Sequence, residues 1–81
     1  MLSKMSDILR WETPHRFYLA VVQQDLFGEW EVLRCWGAKG SRLGNHMREP
    51  AYSKDHAHTL LQRVVKQRFA RGYTEVERPY V

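Results

Sequence analysis

One cysteine, Cys35, stands in the whole chain. It excludes an internal disulfide, so the fold must stand on packing, as is usual in a reducing compartment. No run approaches the roughly 18 apolar residues of a membrane helix. The stretch from Met1 to Asp7 has no apolar segment behind its charge, as a signal peptide would. Cytoplasm is the expected compartment, and no membrane partner is expected. Metal ligands are equally sparse. His56 and His58 are two apart, which on a helix sets them far around the axis from each other, and His15 and His46 are isolated. Lys39-Gly40-Ser41 lacks the upstream spacing of a phosphate-binding loop. Cys35 has no histidine or cation beside it on its own strand face to activate it, and reads as a small core residue. No catalytic residue, metal, cofactor or small-molecule substrate is expected, so function must come from binding.

What is present suits one small domain. The chain has 81 residues, 43% of them hydrophobic, including three Trp, four Tyr and three Phe, enough for a core and too rich for a disordered tail. Thirteen Lys and Arg against nine Asp and Glu give a net charge of +4, a bias toward anionic partners. Arg outnumbers Lys nine to four, and the planar guanidinium fork suits phosphate. There are no repeats, linkers or low-complexity tracts.

Periodicity gives the elements. Arg16 to Gln24 is apolar on both alternating faces and reads as a central strand. Asp25 to Gly28 is a turn, and Glu29 to Trp36 a second strand with Trp30, Val32, Arg34 and Trp36 on one face and Glu31, Leu33 and Cys35 on the other. Leu9 to Thr13 reads as a short preceding strand. Gly37 to Gly44 reads as a loop needing positive φ or close approach at several points. A strand from His46 to Tyr52 carries Pro50, which argues for a sheet edge. Ser53 then suits a helix N-cap, and the helix, about 54–71, ends before Gly72. Ala57, Leu60, Leu61, Val64 and Val65 form its apolar arc, with Arg68 inside that arc reaching the rim. Tyr73 to Val76 reads as a last short strand. The fold class is therefore α+β, an antiparallel sheet of three to five strands with one helix on one face. A single domain over residues 1–81 is expected, with its core at about 16–76 and residues 1–8 flexible.

Arg34 and Trp36 share a face at a strand end, and Lys39 and Arg42 follow in the glycine-rich loop. An aromatic plane with nearby cations and free backbone amides is a cradle for sugar and phosphate.

The run from Asp25 to Asn45 resembles the WGR domain, named for a Trp-Gly-Arg signature. Trp36-Gly37 match its first two residues, Trp30 and Arg34 the positions ahead of it, and Gly40, Ser41 and Gly44-Asn45 those behind. A helix and a closing Gly72-Tyr73 complete a likeness reaching from about Arg16 to Tyr73. The resemblance implies a non-catalytic module, an antiparallel sheet with one helix. Such modules are best known beside the catalytic domain of DNA-damage-activated poly(ADP-ribose) polymerases, where the signature Trp and Arg contact DNA near a strand break. The family also includes short bacterial proteins that are little more than this domain, and this chain looks like one of them. Ala38 occupies the signature's Arg position, without charge or donor. Two readings follow. One is a DNA-binding module, DNA ends included, using Trp36, Gly37, Lys39, Arg42 and Arg34. The other is a protein-interaction or regulatory module that does not bind nucleic acid.

Overall fold

Six elements make up residues 8–41 and 44–76, the part of the chain that a computed structural model describes: β1 (Ile8–Glu12), β2 (Arg16–Gln24), β3 (Trp30–Ala38), β4 (Gly44–Pro50), α1 (Lys54–Ala70) and β5 (Thr74–Val76). The strands form one antiparallel sheet in the order β4-β3-β2-β1-β5. β2, apolar on both faces, holds the middle. Pro50 lies on the edge strand β4, where a missing N–H breaks no inner ladder.

α1 carries the chain from the β4 edge to the β5 edge, across one face of the sheet. The Ser53 hydroxyl caps it by accepting from the His56 N–H at 3.1 Å, and Asp55 lies in its first turn. Ala57, Leu60, Leu61 and Val64 pack on Trp11, Tyr18, Ala20, Val22 and Val32 to form the core, with Val65 half-buried beside them. Trp11 places β1 inside that core, ahead of the boundary expected at Arg16.

The other face has no helix among the described residues. Phe17, Leu19, Val21, Leu33 and Cys35 lie there half-buried, with the Arg10 guanidinium 4.9 Å from the Phe17 ring centre. Glu31 is buried there, accepting from Gln23 Nε2 at 2.8 Å and paired with Arg48. Cys35 is thus no core residue: strand alternation turns it away from the face that α1 covers.

The glycine-rich segment is tighter than expected. β3 runs on through Gly37 to Ala38 and β4 begins at Gly44, two residues before the expected start, because Gly37 and Gly44 pair across the ladder. Gly40 alone among the described glycines of this segment has positive φ, +80°. A Cβ at Gly44 would stand 2.9 Å from the Trp36 carbonyl oxygen, so close approach explains that glycine. Arg42 lies outside the described residues, as does the expected flexibility of residues 1–7, while Ile8 opens β1. No helix among the described residues is long and apolar enough to cross a membrane.

Candidate functional site

Where α1 ends, Gly72 adopts φ +85° and the chain reverses. The Gly72 N–H donates to the Phe69 carbonyl at 3.1 Å and the Tyr73 N–H to the Arg68 carbonyl at 2.9 Å, the paired bonds of a Schellman cap. This closure sets the Tyr73 ring against Arg68, whose guanidinium carbon lies 5.0 Å from that ring's centre and 4.0 Å from the ring of Tyr18. Tyr18 in turn stacks on Trp36, with ring centres 5.6 Å apart and planes 11° from parallel. Tyr18 and Trp36 are cross-strand partners of β2 and β3, so the sheet register builds the stack.

These groups wall a cleft of about 440 Å³, lined by Arg16, Tyr18, Trp36, Arg68, Arg71 and Tyr73. No acidic residue is among them. Arg16 reaches the cleft from the first position of β2, held by the turn in which its N–H donates to Thr13 Oγ1 at 3.0 Å. Arg71 comes from the helix cap. The buried Nε of Arg68 has no hydrogen-bond partner among the described residues, so one donor of this cation is unsatisfied. Three guanidinium groups and three aromatic rings make the cleft suited to an anion attached to a flat or sugar-like body.

The structure brings together only part of the set expected from sequence. Trp36 lines the cleft. Gly37 lies within β3, paired on one side with Phe17 and on the other with Gly44, so it serves the ladder. Lys39 turns to the opposite face, where its Nζ lies 2.9 Å from Glu12 Oε1, and Arg10 Nε approaches Glu12 Oε2 at 3.0 Å. The hydrogen bond from Lys39, then that from Arg10, holds the Glu12 carboxyl below its usual range. Arg34 shares the Trp36 face but is paired with Glu49. Burial pulls its pKa down, and hydrogen bonds to the Tyr18 hydroxyl and the Glu49 carboxylate outweigh that and raise it. Arg34 therefore braces Tyr18 from behind. Arg16, Arg71 and Tyr73 carry no sequence motif that marks them as binding residues, and the helical periodicity gives Arg68 only a place at the rim of the apolar arc.

A family model described as the WGR domain matches residues 4–79 of the chain. No curated protein and no solved structure gives a significant match.

Proposed function

The chain belongs to the WGR domain family, and on that footing we propose that it is a cytoplasmic module that binds DNA, ends above all, through the Trp36 cleft. The observation that carries this reading is the convergence of Arg16, Arg68 and Arg71 on the Tyr18–Trp36 stack and Tyr73, with no carboxylate in the lining. Guanidinium forks grip phosphate, and aromatic faces receive a sugar or base. Inside a duplex both faces of each base are covered by stacking, so the rings in this cleft would meet a free face only at a terminus. Lys39 adds to the phosphate contacts once it leaves Glu12, and Arg34 supports the site by holding Tyr18. Nothing in this arrangement calls for an acid, base or nucleophile.

Fluorescence anisotropy with a short labelled duplex tests the proposal. If three arginines neutralise about three phosphates, the log–log salt slope is near −3, and affinity falls roughly fortyfold between about 50 and 200 mM salt. Absence of binding by micromolar protein at the lower salt would refute it.

A further inference from the structure

The β2–β3 hairpin ends in a turn that is tightly organised yet exposes two apolar side chains. Asp25 Oδ1 accepts from the N–H groups of Phe27 at 2.8 Å and Glu29 at 2.9 Å, and the Asp25 carbonyl accepts from Gly28 at 3.1 Å. Gln24 Nε2 donates to the Gly28 carbonyl at 2.9 Å, and Gly28 takes φ +81°. This network fixes Leu26 and Phe27 outward, 99% and 87% exposed. Two neighbouring apolar residues held in water by a rigid turn do nothing for the fold of their own chain. From Phe17 to Leu33 the sequence has no Lys or Arg and three acidic residues, Asp25, Glu29 and Glu31. Since Glu31 is engaged by Arg48, the hairpin's own remaining charges at the tip are those of Asp25 and Glu29, with Lys54 behind them, its Nζ 5.7 Å from the Trp30 ring centre.

The cleft is the complement of that tip: concave, walled by aromatic rings, rimmed by cations, and placed at the far end of the same hairpin. At about 440 Å³ it exceeds the combined volume of a phenyl ring and a leucine side chain. We propose that the Leu26–Phe27 tip of one copy inserts into the Arg16–Trp36–Arg71 cleft of a second copy. Phe27 enters between the rings and beside the Arg68 cation, while Asp25 and Glu29 meet Arg16 and Arg71. Tip and cleft lie at opposite ends of the hairpin, so one molecule cannot satisfy itself. The contact joins unlike surfaces, so it closes where the second copy's tip returns to the first copy's cleft and otherwise propagates head to tail. Nucleic acid and a neighbour's tip then compete for one cleft. That competition rests on the function proposed above; the association does not.

Sedimentation equilibrium of the full chain at low salt, from micromolar to millimolar, separates these statements. The weight-average mass should rise with concentration and fall back as salt is added. Two variants then divide the contact: Leu26→Ser/Phe27→Ser loses the tip, and Arg16→Ser/Arg71→Ser weakens the cleft. All four positions are exposed, so both variants should keep the wild-type Tm. Each alone should associate about tenfold or more weakly than wild type, as removal of buried apolar or charge-paired groups requires. Mixed, they should form a one-to-one dimer and nothing larger, because the mixture has one good tip and one good cleft. A wild type that stays monomeric to millimolar concentration overturns the proposal, as does a tip variant that associates as wild type does, which would point to the open sheet face instead. Adding a short duplex to the wild-type oligomers should return monomer-sized complexes. If the duplex binds without dissociating them, the competition fails while the association stands; if it does not bind at all, the proposed function fails and the association is untouched.

Discussion

Arg16 and Ala38 stand opposite each other across the β2–β3 ladder, on the same face as Trp36. Directly opposed side chains leave their Cβ atoms about 5 Å apart. The cation missing from the Trp-Gly-Ala segment is thus available from the adjacent strand, and Arg16 lines the cleft beside Trp36.

A rescue experiment follows. Arg16→Ala should weaken duplex binding about tenfold or more, the loss of one charge-assisted contact of about 1.5–3 kcal/mol. Ala38→Arg in that background should restore most of it, because the new guanidinium rises from the facing position. Anisotropy on linear duplexes and on covalently closed circles checks both, since added charge alone strengthens binding to either. Equal recovery on circles and ends would reduce the rescue to net charge.

Glu12 gives a pH signature. Its pKa in the folded chain lies below the unfolded value, so the stability it adds is fully present above the ordinary glutamate range and is lost as pH falls through the depressed folded value. Carboxyl carbon NMR should find Glu12 titrating below the ordinary glutamate value, and Glu12→Gln should remove that part of the acid limb of stability. The same variant releases Lys39 and should raise duplex affinity.

The helix end can be tested through its glycine. At Gly72 no atom stands within 4 Å of an added Cβ, so Gly72→Ala is disfavoured only by its positive φ, at a cost of about 1–2 kcal/mol. Urea denaturation reads that loss. Tyr73 follows directly, so duplex affinity should fall with it under conditions where the variant is fully folded.

Leu61, 2% exposed on the sheet-facing side of α1, reports the core. Leu61→Ala should cost about 2–5 kcal/mol by chemical denaturation, a large share of the stability of a domain this small.

Elements with strong periodicity were legible in the sequence: the two-faced apolar run of β2 announced a central strand, and Ser53 with the apolar arc announced α1. The site was only half legible. Trp36 stood out, yet its cationic partners are set by register and by a helix cap, neither visible as a motif. Pairing Gln24 with Trp30 at the turn fixes Arg16 opposite Ala38, a deduction open to a reader who trusts the hairpin. The side of the sheet on which Lys39 lies is hidden for a related reason. Once β3 is carried through Gly37, alternation assigns Lys39 to the Cys35 face, whereas the glycines had made the segment look like an irregular loop. The cation–aromatic cluster at Arg68 needed the Schellman reversal at Gly72, which brings Tyr73 back onto the helix.

The strand order also governs when the domain can be finished. β5 pairs with β1, through Arg10 with Val76 and Glu12 with Thr74, so the last strand made must find the first. During synthesis the four strands of the meander can pair as they emerge. The β1 edge stays open until residue 76 has cleared the ribosome, and Tyr73, just before β5, comes late with it. The cleft is therefore among the last features to form on a growing chain, and a nascent fragment would carry the apolar hairpin tip well before it had the cleft.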